Sequence, residues 1–251
     1  MMKNDEQNVV DTELNSPLDR LDSVKKSTNE IPPPDPERML GLLGSAKSTE
    51  RMLAARAFCE IEDPRSIPLL IELLDDICPL IRVSTTYALG RNTDAEAVEP
   101  LIKLLAEDLN GYVRKGIVWA LGNSKDSRSV RPLIKALKTD ISAVRLWAAS
   151  GLAQVAPLEY ESIIAAIPPL IQGLRRDVTP AVRSNCAWAI GQLCRELPSN
   201  VVYATAIDAL IESLVEDEDL GVKDDARSAI LRVGDPRGLQ TIEELELEGL
   251  I

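Results

Sequence analysis

The sequence predicts an all-α solenoid of about six helical hairpins. Three observations predict it. A short motif built round "VR" returns six times along the 251 residues, and an amphipathic "PLIKAL" segment alternates with it. Aromatic residues make up 3% of the chain (one Phe, four Tyr, three Trp) against 45% hydrophobic residues, so the core has to be aliphatic and alanine-based. That composition suits helices packed closely through small side chains better than a sheet.

The elements follow in chain order. Residues 1–36 are polar, lack a sustained hydrophobic period and end in "IPPPDP". They offer too little apolar surface to offset the entropy of ordering, and read as a flexible acidic tail before a repeat domain over 37–251. Helical periodicity begins near Arg38. The repeats are anchored on Arg51, Arg82, Arg114, Arg145, Arg183 and Lys223, at spacings of 31, 32, 31, 38 and 40 residues. Six positions after each anchor stands a small residue: Ala57, Ala88, Ala120, Gly151, Ala189, Ala229. One further on stands a large one: Phe58, Leu89, Leu121, Leu152, Ile190, Ile230. Gly90, Gly122 and Gly191 are placed to end these helices.

Between anchors run "IPLLIELLDD", "VEPLIKLLAED", "VRPLIKALKTD", "IPPLIQGLRRD" and "IDALIESLVED", each with apolar residues at i, i+3 and i+4. Each is an amphipathic helix. Pro68, Pro100, Pro132 and Pro169 are expected in first turns, where a missing N–H costs little. Asp63, Asp126 and Asp235 supply caps. The two long spacings hold longer helices or loops, and the acidic end "ELELEGLI" serves as a polar cap. Neither helix of a hairpin can bury its apolar face alone, so neighbouring repeats must stack.

On these residues the chain resembles the HEAT family, and within it the short, alanine-rich HEAT-like type associated with phycobilin lyases. The resemblance spans about 38–240 and implies a right-handed stack, "PLIKAL" helices on the convex side and "VRKGIVWALG" helices on the concave side. It also implies a ladder of Asp/Arg pairs. An acid stands five or six residues before most anchors: Asp76 with Arg82, Asp108 with Arg114, Asp140 with Arg145, Asp177 with Arg183, Asp217 with Lys223.

Enzyme chemistry finds little footing. The absence of histidine removes the commonest general base and metal ligand. It also sets the chain apart from the HEAT-type deoxyhypusine hydroxylases, whose di-iron site needs His–Glu pairs. Neither a glycine-rich phosphate loop nor G-x-S-x-G occurs. Four cysteines without C-x-x-C spacing suggest a reducing compartment: Cys186 at a core position, Cys194 near a helix end, Cys59 on a polar side, Cys78 in a turn. Cys59 and Cys78 are the weak candidates for touching a transferred metal or tetrapyrrole. No resident metal or cofactor is expected.

The aromatic residues point further. Position +5 from the anchor falls at roughly 140° on the helical wheel, nearly opposite the buried face. It holds Arg56, Tyr87, Trp119, Ser150 and Trp188, and Trp147 lies at +2 on the edge of that side. Two readings are open: padding between adjacent inner helices, or a recognition surface of rigid side chains. Lys115, Arg145 and Arg183 flank it with positive charge. The formal charge of −12 belongs to the ends, −5 over residues 1–37 and −9 over 208–251, leaving +2 between. That balance, without Lys/Arg clusters, argues against nucleic acid. With neither a leader nor a long apolar run, a cytoplasmic protein off the membrane is expected.

The reading is therefore a non-enzymatic scaffold binding another protein through Tyr87, Trp119, Trp147, Trp188, Lys115 and Arg56. The segments "GYVRKGIVWALGN" and "VRSNCAWAIGQLCRELPSN" are also similar to a cyanobacterial HEAT protein associated with the iron–sulfur scaffold IscA, which implies a partner in cluster or iron handling. The alternative implied by the family is a phycobilin lyase or chaperone-like subunit, with an open-chain tetrapyrrole against the tryptophans and a phycobiliprotein subunit as partner.

Overall fold

The structure, a computed structural model, describes residues 34–250. The tail expected over 1–36 lies outside the described residues except for its last three. Of these, Asp35 caps the first helix by accepting from the Glu37 N–H, and Pro36 opens it.

Among the described residues there are thirteen α-helices and no strand. Six hairpins are formed by α1 (Pro36–Leu43) with α2 (Ser48–Ala57), α3 (Ser66–Leu73) with α4 (Pro79–Arg91), and α5 (Ala95–Glu107) with α6 (Gly111–Asn123). They continue with α7 (Val130–Thr139) and α8 (Ser142–Val155), α9 (Tyr160–Arg176) and α10 (Pro180–Cys194), and α11 (Val201–Glu216) and α12 (Leu220–Val233). A thirteenth helix, α13 (Pro236–Leu247), follows Asp235 and packs on α11 and α12. The long spacings hold longer helices, α9 with 17 residues and α11 with 16, and in the second case also a non-helical stretch over 195–200. Even-numbered helices pack in sequence on one another, forming an inner layer under the odd-numbered ones.

The core is what the six-fold motif dictates. Phe58, Leu89, Leu121, Leu152, Ile190 and Ile230 are all buried at the hairpin interfaces. The glycines expected to end the motif helices lie just inside them instead, one position before the last residue at Gly90 and Gly122 and three before it at Gly191. Their function is close approach. A Cβ on Gly122 would lie 2.7 Å from the Gly151 Cα, and one on Gly191 2.8 Å from the Ala229 Cβ. The glycine eight after one anchor thus faces the small residue six after the next. Gly234, at φ +74°, is the left-handed cap that ends α12.

Two proline placements also differ from expectation. Pro100 and Pro169 stand inside α5 and α9, because those helices start earlier, at the Asp94 cap and at Tyr160. Asp63, Asp126 and Asp235 do accept backbone N–H groups two residues on, at 3.0 Å each.

The ladder exists in a shifted register. Arg51 pairs with Asp76, Arg82 with Asp108, Arg114 with Asp140, Arg145 with Asp177 and Arg183 with Asp217, at 2.6–2.8 Å. Each arginine reaches the carboxylate of the following repeat, not the acid preceding it in its own. From its own repeat it takes a backbone carbonyl, that of Ser45 for Arg51 and of Asp76, Asp108, Asp140 and Asp177 for the next four. The reason is local: the carboxylate is already turned toward the backbone, as where Asp76 accepts from the Cys78 N–H and Asp108 from Asn110. A continuous polar spine results, stapling hairpin to hairpin. It ends at Asp217, since Lys223 donates to the Val215 carbonyl instead of that carboxylate.

Candidate functional site

Three successive inner helices carry the aromatic residues. Tyr87 on α4 and Trp119 on α6 meet with ring centroids 5.3 Å apart, tilted by 46°. Gly90 makes this contact feasible, since a Cβ there would lie 2.3 Å from the Trp119 ring. On the next interface Lys115 of α6 holds its ammonium 5.4 Å from the Trp147 ring centre on α8, within cation–π range. Tyr87, Trp119 and Trp147 are half-buried, so ring area stays accessible. The outcome is a strip of two pairs, aromatic–aromatic and aromatic–cation, along α4, α6 and α8.

Trp188 departs from the expected row. It is only 8% exposed on α10, and with the Gln192 amide oriented to suit its neighbours, its indole N–H donates to Gln192 at 3.3 Å. The wheel position is the same as that of Trp119. Arg232 of the next helix, α12, donates to the same Gln192 oxygen at 2.9 Å. Ser150, also at this wheel position, is buried and accepts from Asn185 at 3.1 Å. Arg56 is exposed on α2.

The flanking bases divide likewise. Arg145 and Arg183 spend both edges of the guanidinium on the spine, whereas Lys115 points onto the strip. Asn92 carries a role that reading by helical wheel missed. Buried at the end of α4, it accepts from the Asp63 N–H and donates to the Phe58 and Ile61 carbonyls, clamping the turn before α3. Its polarity at a position just past an apolar motif was the available signal.

The cysteines are separated. Cys59 bonds the Ala55 and Ser84 carbonyls, and burial pushes its thiol up to about 11. Burial likewise pushes Cys194 to about 12 and raises Cys186. Such thiols stay protonated and unreactive at neutral pH. Cys78 is half-buried at the start of α4, in the turn expected. Among the described residues no group of three or more Cys, Asp or Glu converges on a point able to hold a metal ion. None of the described helices is long and apolar enough to cross a membrane.

The HEAT-repeat family profile matches residues 36–115, 98–162 and 167–248. No curated protein matches the sequence. Among solved structures, an engineered protein superposes with a TM-score of 0.61 at 24% identity, over 80% of this chain and 98% of that one. A designed armadillo repeat protein in complex with the peptide (KR)4 gives 0.59 at 23%, over 79% and 98%. The complex of CpcE and CpcF of phycocyanin lyase from Nostoc sp. PCC7120 gives 0.59 at 22%, over 88% and 85%. At these identities the likeness is one of fold.

Proposed function

The chain belongs to the HEAT-repeat family, and from that premise we propose that it is a non-enzymatic scaffold that binds another protein along the inner helices. The observation that carries this reading is the strip of Tyr87, Trp119, Lys115 and Trp147 on α4, α6 and α8. Rigid, partly exposed aromatic rings beside a cation are the side chains from which binding hot spots are built. Supporting it, a designed repeat protein of this shape forms a complex with the peptide (KR)4, and CpcE and CpcF, also of this shape, form a complex with each other. The cationic edge favours a partner segment with acidic residues.

For the identity of the partner, an IscA-type scaffold in iron–sulfur cluster assembly rests on segment similarity. The second reading, a phycobilin lyase or chaperone-like subunit acting on a phycobiliprotein, has a shape argument in the CpcE–CpcF likeness. Coexpression with a bilin separates the two. A coloured, red-shifted complex supports the lyase reading, and a colourless protein favours the scaffold.

The test of the scaffold uses full-length protein to retain partners from host lysate, comparing wild type with Lys115→Glu, alone and with Trp147→Ala. Circular dichroism first confirms that each variant is folded. A partner held by wild type and lost from folded variants supports the strip. Equal retention by all three overturns it and makes the rings padding between helices.

A further inference from the structure

A second surface lies on the opposite layer. Of the neighbouring outer pairs, α5 and α7 pack least closely, and between them opens a groove of about 500 Å³. Its walls are apolar, from Ile102 and Leu105 on α5 and Pro132 and Ala136 on α7. At its mouth stands Leu109, 96% exposed in the turn after Asp108. A cleft of this size with apolar walls takes several side chains of a ligand.

The rim has a sign. Arg131 and Lys135 line the groove from α7, and Lys138 continues the row at i, i+4 and i+7, all three exposed. Helix α7, "VRPLIKALKT", contains no acid. The ion pairs nearby are Arg114–Asp140, Arg128–Asp126 and Arg128–Glu99, so the three cations have no carboxylate partner among the described residues. Two of the three acids lining the groove, Asp108 and Asp140, are held by ladder arginines, which leaves Glu107 as the free one. An unpaired basic row in a chain of formal charge −12 runs against the molecule's overall sign. The groove between α3 and α5 has no such row: its rim carries Asp75 and Glu107, and its arginine, Arg82, is bound to Asp108.

We infer that the α5–α7 groove is a docking site for an acidic, leucine- or isoleucine-bearing segment of a partner protein. The aliphatic side chains enter between Leu105 and Pro132 and cover Leu109, while carboxylates meet Arg131 and Lys135. The two cations are four residues apart on the helix, about 6 Å along its axis. Acids one helical turn apart, or two residues apart in an extended chain, match that spacing. The site is separate from the strip on α4, α6 and α8, so the two stand or fall independently.

The test measures fluorescence polarisation of full-length protein against pools of labelled twelve-residue peptides. The pools are acidic, neutral or basic, each with and without three leucines, alongside a peptide of residues 1–33. Saturable binding confined to the acidic leucine pool is expected. It should weaken at least tenfold in Arg131→Glu/Lys135→Glu and in Leu109→Ser, with unchanged melting temperatures. Binding by none of the pools, or binding indifferent to charge reversal, overturns the site. Preference for the 1–33 peptide, or self-association that charge reversal abolishes, assigns the groove to the chain itself and overturns an outside partner.

Discussion

Arg114 joins two repeats through one side chain. Its guanidinium grips the Asp140 carboxylate on one edge and the Asp108 carbonyl on the other, and both side chains of the ion pair are largely buried. Removing it leaves the Asp140 charge in place without its counter-ion. For a largely buried pair, breaking one side costs about 3 kcal/mol. Arg114→Ala should therefore lower the melting temperature by several degrees, whereas Lys47→Ala, which breaks an exposed pair with Glu50, should leave it unchanged. Equal melts for the two variants would show that the spine contributes nothing beyond surface charge. At this scale the sequence names the ladder residues but pairs them wrongly. Both partners are visible in each repeat, and only the packed neighbour decides which carboxylate an arginine meets. Trp188 teaches the same lesson. A single-helix wheel places it outward beside Trp119, and its burial and the Gln192 oxygen it shares with Arg232 of α12 are not part of the wheel.

At the scale of the element, the close contacts between inner helices depend on glycines that resemble helix stops. Helix α6 touches α8 through Gly122 and Gly151, where backbone meets backbone. Gly122→Ala forces the two helices apart, an overpacking that costs about 1–3 kcal/mol. Gly41 is the control. It lies on the exposed face of α1 with no atom within 4 Å of an added Cβ, so Gly41→Ala should gain about 0.5–1 kcal/mol through helix propensity. Chemical denaturation reads both, and opposite signs are expected. A stabilising Gly122→Ala would mean that the α6–α8 contact is looser than the geometry requires. The hairpins themselves were legible because their periodicity is local: small-then-large pairs and i, i+4 apolar residues survive in every copy. Glycine was ambiguous because close approach and helix termination both select it. The strip on α4, α6 and α8 was half legible. Its residue types were visible, whereas the Tyr87–Trp119 and Lys115–Trp147 pairings depend on the lateral offset between successive repeats.

For the molecule as a whole, the spine and the missing histidine together set the response to pH. Burial pushes the Asp108 carboxyl up, but Arg82 and the Asn110 N–H outweigh it and hold the group below its ordinary value of 3.8. Asp76, Asp140, Asp177 and Asp217 are lowered by the same opposition of burial to arginine and backbone N–H. A carboxyl lowered in the folded state binds its proton more readily when unfolded. Its stabilisation is therefore complete above about pH 4 and is lost as pH falls through the folded-state values. Because each of the five carboxylates staples one repeat to the next, their protonation weakens successive interfaces of the stack. At the other end, burial raises Cys59 from 9.0 to about 11, so its contribution is complete below pH 9 and is lost as pH rises from there through about 11. Between these limits no histidine titrates. Thermal melts of the full chain followed by circular dichroism from pH 3 to 11 should show a plateau from pH 6 to 8. The melting temperature should fall below about pH 4 and decline again above about pH 9. In Arg114→Ala, Asp140 loses the partner that lowers it and with it its share of the acid loss, so stability should start from a lower plateau and the acid limb should be shallower than in wild type. A slope across the plateau would require a titrating group that the spine and the thiols do not supply.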